Sequence, residues 1–337
     1  MSPRKPSVTA QDVARLAGVS RAVVSRALSS NGSISPDARA RVLRAAEELG
    51  YQVNFLAQGL NRQRSHLIGV IVSRISDPFR SALLDALLNE IQRQGFQALV
   101  SEIYSEQDLA HTLRRFTQFR VSGVIVTSGQ PPEALVNECV QQHIPVVGIN
   151  RQPTIPGVDY VCSDNVAGAE LAADQLLRSG CRRFGWLNHS PSTWAGRMRG
   201  EAFSRALQAR GVDVERNLAI LACPEEGYTG GFQAAALADE ALEGIFCANA
   251  QIACGFLDGM RQRGKQAPED YQLIGFDNTP PTAQYSYQLT TLHQDVAAIS
   301  RQTLARLQER TVDPLQPSRT TWVEVTLIHR RTSPFII

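Results

Sequence analysis

The chain has 337 residues, 43% hydrophobic and 20% charged with a formal net charge of +2, an ordinary globular balance large enough for about two domains. No apolar run approaches the roughly 18 residues that cross a bilayer, and the opening MSPRKPSVTAQ has no apolar stretch behind its charges, so the expected location is cytoplasmic. The charge is uneven: residues 1–64 carry ten Lys/Arg against four Asp/Glu, a net of +6, and the remainder carries 24 against 28, a net of −4, which suggests a nucleic-acid contact at the front.

Thr9 is placed to cap a short amphipathic stretch, Gln11 to Ala17, with Asp12 where a carboxylate suits a helix N-terminus. Gly18 ends that helix and takes a positive φ readily. Ser20 caps a second helix from Arg21 to Leu28, and a third begins at Ser35, has Pro36 in its first turn, and runs through Val42 and Leu49 to Gly50. Ala14, Gly18 and Val24 have the spacing of a helix-turn-helix: a small residue lets two helices cross, glycine makes the turn, and an apolar residue locks the second helix onto the first. A plain three-helix bundle explains those positions. It does not explain Ser20, Arg21, Ala22, Ser25 and Arg26, which share one side of the second helix and suit phosphate oxygens and base edges.

Residues 54–61 (NFLAQGLN) follow as a linker. An isolated helix needs about 12–15 residues to be stable, and Gly59 costs about 1 kcal/mol relative to alanine, so this segment on its own reads as flexible.

From residue 66 the pattern changes to alternating strands and helices. Strands are expected at 66–73, 96–101, 123–127 and 145–149, with helices at 79–94, 106–119 and 132–142. A second series has helices at 164–179, 197–210, 227–238 and 250–263 and strands at 184–188, 218–222, 244–247 and 271–276. Such alternation predicts parallel sheets, and two sets predict two doubly wound lobes with a ligand cleft beyond the carboxyl ends of the strands. The turn after the first strand reads Ser-Arg-Ile-Ser-Asp-Pro-Phe, not a glycine-rich nucleotide loop; no P-loop or Gly-x-Ser-x-Gly elbow occurs, and the six histidines lack metal-ligand spacing. Cys139, Cys162, Cys181, Cys223, Cys247 and Cys254 form no Cys-x-x-Cys pair and read as small buried hydrophobes. The expectation is therefore not an enzyme, with no cofactor and no metal.

Asp12 to Ser20 (DVARLAGVS), Val24 to Leu28 (VSRAL) and Ala46 to Tyr51 (AEELGY) with Asn54 resemble the headpiece of the LacI/GalR family of bacterial transcriptional regulators. The likeness continues through Asp77-Pro78-Phe79, Ile144 to Arg151 (IPVVGINR), Asp164-Asn165, Arg199 to Leu207 (RGEAFSRAL), Phe246 to Asn249 (FCAN), Ile274 to Asn278 (IGFDN), Leu289 to Gln294 (LTTLHQ) and Arg330 to Ser333 (RRTS). The fold this implies is an all-α helix-turn-helix headpiece plus an α/β periplasmic-binding-protein-like body of two doubly wound parallel-sheet lobes. The domains would be a headpiece at 1–53, a hinge helix or linker at 54–64, and an effector-binding and dimerisation body at 65–337. Lobe one would take about 65–161 and 293–318 and lobe two about 162–292 and 319–337, with crossings near 160–164, 290–294 and 316–322.

The resemblance also assigns residues. Arg21, Ala22 and Arg26 hold base-reading positions; Thr9, Ser20, Ser25, Ser29 and Tyr51 would meet the DNA backbone; Asn54, Ala57, Gln58 and Leu60 would form the minor-groove hinge, with Leu60 as an apolar wedge. Effector contacts would come from Arg199 and Asp277, then Phe79, Ser128, Asn150, Asp164, Thr193 and Asn249. A carboxylate accepting from vicinal hydroxyls and a guanidinium donating in a plane suit a sugar-like ligand. Asp277 and Asp164 read equally as helix caps, and Phe79 as core. Five positions depart from the family pattern: Val23 for threonine, Val53 for proline, Ala202 for glycine, Ala250 for aspartate and Arg80 for an aromatic. An arginine at 80 favours an anionic effector such as a sugar acid or sugar phosphate, unless it simply faces solvent. The implied function is a sequence-specific repressor of a carbohydrate or sugar-acid operon, a homodimer released from a palindromic double-stranded operator by a small-molecule effector, because one recognition helix reads only a half-site. The alternatives are a corepressor type that binds DNA with a nucleobase-like metabolite, and an α/β enzyme. After Arg331 only Thr-Ser-Pro-Phe-Ile-Ile follows, so no tetramerising tail is expected.

Overall fold

Capping residues set five of the six boundaries of the N-terminal helices, all but the end of the second. In the computed structural model, which describes residues 8–28, 33–51, 65–127, 133–189 and 193–335, the chain forms two units, Met1–Ser65 and His66–Ile337. In the first, α1 (Ala10–Ala17) starts at Thr9, whose Oγ1 accepts from the Asp12 amide at 3.4 Å while the Asp12 carboxylate accepts from the Thr9 amide at 3.0 Å, a reciprocal capping box. Gly18 stops α1 in the left-handed region at φ 64°. Ser20 caps α2 (Arg21–Ala27) through the Val23 amide, and Ser35 caps α3 (Pro36–Leu49) through the Ala38 amide. Val13, Ala14, Ala17, Val24, Ala27, Val42, Ala45 and Ala46 make the shared core. Arg39 donates to the Ala27 carbonyl at 3.0 Å, tying α3 to the end of α2. The expected linker at 54–64 lies outside the described residues.

The second unit is two α/β lobes. The first sheet runs in the order β11-β5-β4-β3-β1-β2, from β1 (Leu67–Val72), β2 (Gln97–Glu102), β3 (Gly123–Val126), β4 (Val146–Ile149), β5 (Asp159–Ser163) and β11 (Thr320–Val323). The second runs β12-β10-β9-β8-β6-β7, from β6 (Phe184–His189), β7 (Leu218–Cys223), β8 (Gly244–Cys247), β9 (Gln272–Asp277), β10 (Thr290–Gln294) and β12 (Val325–Ile328). The longer helices are α4 (Pro78–Arg93), α5 (Glu106–Gln118), α6 (Glu133–Gln141), α7 (Asn165–Arg178), α8 (Trp194–Ala209), α9 (Gly227–Leu237), α10 (Ala250–Gln262) and α11 (Val296–Val312), with four-residue turns of helix at Val214–Asn217 and Pro280–Ala283. Helix α8 begins three residues before the expected start, because Thr193 caps it, accepting from the Gly196 amide at 3.1 Å.

The chain passes between sheets three times. β5 stays in the first sheet to Ser163, so the first crossing is at Asp164, within the expected 160–164 window; β10 stays in the second sheet to Gln294, so the second is at Asp295, one residue past the expected 290–294 window. β11 belongs to the first sheet, so the third falls at Glu324, beyond the expected 318 and the 316–322 window. Asp164 (φ −72°, ψ 80°) and Asp295 (φ −75°, ψ 89°) share one conformation and each caps the helix that follows. The sheets are not wholly parallel: β12 runs antiparallel to β10. Only Glu324 separates β11 from β12, which leaves no room for a reversal of the chain between them.

A buried bidentate pair holds the approach to β11, ahead of the third crossing. Arg310 on α11 meets Asp159 at 2.7 and 3.1 Å, and Asp159 also accepts from the Arg319 amide at 2.8 Å, fixing the loop that delivers β11 to β5. All six cysteines are buried and unpaired; burial pushes Cys139, Cys162 and Cys223 up to about 11 and Cys181 and Cys254 up to about 12. Among the described residues no helix is long and apolar enough to cross a membrane.

Helices α9 and α10 touch backbone to backbone, which places both of their N-termini at the same end of the second sheet. A Cβ at Gly255 would stand 1.9 Å from the Tyr228 carbonyl oxygen, and one at Gly231 would stand 2.1 Å from that of Ile252. Neither backbone can yield without parting the helices. Gly255→Ala is therefore expected to destabilise the second unit by about 1–3 kcal/mol, read as a lower urea midpoint at an unchanged slope.

Candidate functional site

A cleft of about 470 Å³ opens between the two lobes, at the carboxyl ends of the strands. Its floor is a chain of hydrogen bonds that joins them. Arg199, buried on α8, donates from Nε to Asn165 Oδ1 at 2.7 Å and from Nη1 to the Ala248 carbonyl at 2.6 Å, and its guanidinium lies 3.4 Å from the Phe276 ring centroid. Asp277, at the end of β9, lies 3.8 Å from Arg199 and accepts from Gln294 Nε2 at 2.6 Å and from the Ala250 amide at 3.4 Å. Gln294 Oε1 in turn accepts from Ser163 Oγ at 2.5 Å and from Asn150 Nδ2 at 3.3 Å, both in the first lobe. Asn150 Oδ1 takes the Ser163 amide at 2.8 Å.

Burial dominates the electrostatics of this floor. It pushes the Asp277 carboxyl up to about 6, against the opposing pull of Arg199, and pushes Arg199 down to about 10 against the pull of Asp277. Asp277 also holds φ 88°, a left-handed conformation unusual for a non-glycine residue, at the point where the strand must turn away from the cleft.

The sequence-derived candidates separate in position. Arg199, Asp277, Phe79, Asn150, Thr193 and Asn249 all line the cleft. Phe79 also packs on the first-lobe core, while Thr193 and Asn249 cap α8 and α10. Asp164 is not among the lining residues; its Oδ1 accepts from the Ala167 amide at 2.9 Å, so its role is that of cap and crossing residue. Ser128 lies outside the described residues, although its neighbour Thr127 lines the cleft. Gln294, Arg151, His189 and Glu226 also line the cleft, and sequence reasoning does not single them out. Arg151 closes the same Ile144–Arg151 stretch that names Asn150, and Gln294 closes Leu289–Gln294, so both signals are present. Arg80 is half-buried rather than solvent-facing, and donates to Ser73 Oγ at 2.6 Å and to the Ser73 carbonyl at 3.0 Å. Arg74 of the first lobe pairs with Glu226 of the second across the cleft. Among the described residues there is no His/Cys/Asp/Glu group arranged to hold a metal.

On the first unit, Ser20, Arg21, Ala22, Ser25 and Arg26 are all exposed along α2, so the face has no packing duty. Thr9 is exposed as well, Val23 and Tyr51 are partly buried against the core, and Arg26 Nε donates back to the Ala22 carbonyl at 3.3 Å. Ser29, Asn54, Ala57, Gln58 and Leu60 lie outside the described residues.

Residues 9–54 match the family described as bacterial regulatory proteins, lacI family, and residues 173–333 match the periplasmic binding protein-like domain. The chain is 33% identical over 298 residues to the HTH-type transcriptional regulator GalS of Salmonella typhimurium, covering 87% of each chain. A LacI family transcriptional regulator from Enterococcus faecium with bound ribose superimposes with a TM-score of 0.72 at 26% identity, over 80% of this chain and 100% of that one. The lac repressor dimer bound to operator and the anti-inducer ONPF superimposes with a TM-score of 0.83 at 23% identity, over 98% and 100% of the two chains, a likeness of fold. Relatives of this kind are transcriptional regulators, not enzymes.

The Asp277 environment has a measurable consequence. Native Asp277 keeps its proton to about pH 6, whereas the unfolded side chain releases it near 3.8, so the native state holds the extra proton between those values. Its contribution to stability is complete below pH 3.8 and drains away as pH rises through 6. The stability of wild type minus that of Asp277→Asn is expected to fall by on the order of 3 kcal/mol between pH 4 and pH 7 in urea titrations, the other carboxylates cancelling in the difference.

Proposed function

We propose, from the premise that this chain belongs to the LacI/GalR family of DNA-binding bacterial transcriptional regulators, that it is a homodimeric repressor released from a palindromic operator by a small carbohydrate-like or sugar-acid effector. The observation that carries this reading is the cleft floor, where Arg199 and Asp277 face the ligand space and Gln294 ties them to Asn150 and Ser163 of the opposite lobe. A ligand that engages Asp277 competes directly with that tie, so its binding energy is coupled to the distance between lobes. Lobe motion would alter the spacing of the paired 54–64 segments and so favour or oppose their folding on DNA. Tenfold release requires only about 1.4 kcal/mol of such coupling.

In this scheme Arg21, Ala22 and Arg26 read base edges, with Arg26 suited to a bidentate contact with guanine and Ala22 to a thymine methyl. Thr9, Ser20, Ser25, Ser29 and Tyr51 would meet phosphates, and Asn54, Ala57, Gln58 and Leu60 would enter the minor groove. The division into a headpiece at 1–53, a hinge at 54–64 and an effector and dimerisation body belongs to the same proposal.

Two substitutions separate the sites, given a duplex selected by the wild-type protein from a randomised library. Arg26→Ala is expected to lose about 1–3 kcal/mol at one base pair of each half-site and to relax specificity there, seen in competition gel shifts. Asp277→Ala is expected to hold the same duplex as wild type yet fail to respond to the effector. Loss of DNA binding by a folded Asp277→Ala protein would remove that residue from the effector site. A ligand that tightens the wild-type complex, instead of releasing it, would establish corepressor logic.

A further inference from the structure

The geometry points to an anionic effector: a polyhydroxylated acid or sugar phosphate whose charged end seats against Arg80 and Arg151 on the first-lobe wall, while its hydroxyls face Asp277 and Asn249 on the second. This inference rests on the cleft being the effector site and narrows the chemical class it takes.

Two of the arginines that line the cleft are already neutralised. Arg199 has Asp277 at 3.8 Å, and Arg74 has Glu226. Arg80 and Arg151 remain. Among the described residues neither has a carboxylate within ion-pair distance. The acid on their wall, Asp77, has Oδ1 engaged at 3.0 Å by the Arg80 backbone amide as the cap of α4. Two guanidinium groups on this wall face the single carboxylate of Asp77, with Asp277 acting on Arg80 from the second lobe but already paired with Arg199, which leaves the wall with an excess of positive charge.

Both arginines are also held in place. Arg80 is tethered through Nη1 to the Ser73 hydroxyl and carbonyl. Arg151 is tethered through Nη2 to the Thr127 carbonyl. Arg151 Nε is buried and has no hydrogen-bond partner, although its residue lines the cleft. A buried N–H donor without an acceptor is uncommon in folded proteins and marks a place where an acceptor belongs. Burial pushes Arg151 down to about 10, and the nearby charges of Arg80 and Arg74 add to the effect. An anion would supply the missing acceptor and relieve that repulsion together, which a neutral hydroxyl cannot do. Forked guanidinium donors match carboxylate and phosphate oxygens in shape as well as charge. The cleft volume of about 470 Å³ suits a hexose-sized acid with one end on each wall.

The test compares full-length wild type with Arg80→Gln, Arg151→Gln and Arg151→Lys by thermal melting and calorimetry. The probes are matched pairs: D-galacturonate with D-galactose, D-gluconate with sorbitol, and ribose 5-phosphate with ribose. Inorganic phosphate is compared with chloride at equal ionic strength. The expected result is that an acid or phosphate raises the wild-type melting temperature where its neutral partner does not. Each glutamine variant should bind that anion at least tenfold more weakly, with Arg151→Lys in between, while unliganded melting and circular dichroism establish that the variants are folded. The inference is overturned if only neutral members bind, if anions bind the glutamine variants as tightly as wild type, or if no anion stabilises wild type beyond chloride. Neutral binding that disappears in Asp277→Ala would leave the effector cleft standing and remove only its anionic character. The acid and phosphate arms identify which anion the wall prefers.

Discussion

Everything in the second unit turns on one buried side chain, Gln294, which accepts from Asn150 and Ser163 of one lobe while donating to Asp277 of the other. An amide has both a donor and an acceptor end, so it can bridge two lobes that each offer only half of a pairing. The bridge also helps an aspartate and an arginine coexist in a largely buried floor. A buried ion pair adds little net stability but is costly to break, so its value here lies in fixed geometry. Asn165, Ala248 and Phe276 orient Arg199 from behind, leaving Asp277 as the member that meets both the bridge and the cleft.

The crossings give this bridge its leverage. Two of the three are single aspartates in the same backbone conformation, each anchored as the cap of the next helix, and the third is Glu324 between two strands. Such short connections confine lobe motion to a few dihedrals near the cleft floor, where the hydrogen bonds also lie. The Arg74–Glu226 pair and the Trp194–Trp322 ring contact, with centroids 6.5 Å apart, are further links between the lobes. The lobes are therefore joined through a small set of discrete contacts rather than a diffuse interface.

The headpiece was the most legible part of the sequence because its information is local. Thr9, Gly18, Ser20, Ser35, Pro36 and Gly50 each act within one turn of their own position, and each stands in the predicted role. Most strands and helices up to residue 276 were also readable from apolar runs, but β5 and the 17-residue α11 were not foreseen. β10 and the pair β11 and β12 were not, since Thr290, Thr291 and Gln294 are buried polar residues whose partners lie far along the chain. That same distance hid Gln294, which is 131 residues from Ser163 and 144 from Asn150. Asp164 illustrates the reverse case: its position beside a strand end was readable, but whether it faced the ligand or capped α7 depended on a tertiary turn that no spacing encodes.

The six buried thiols carry an implication for how this molecule can be handled. Each sits in apolar surroundings that hold it protonated at neutral pH, and the thiolate, not the thiol, reacts with maleimides and iodoacetamides. The native fold is thus its own protecting group: dyes or spin labels directed to two added surface cysteines, one on each lobe, would report from those two points alone. Distances between the lobes become accessible to spectroscopy in a chain that retains all of its natural residues elsewhere.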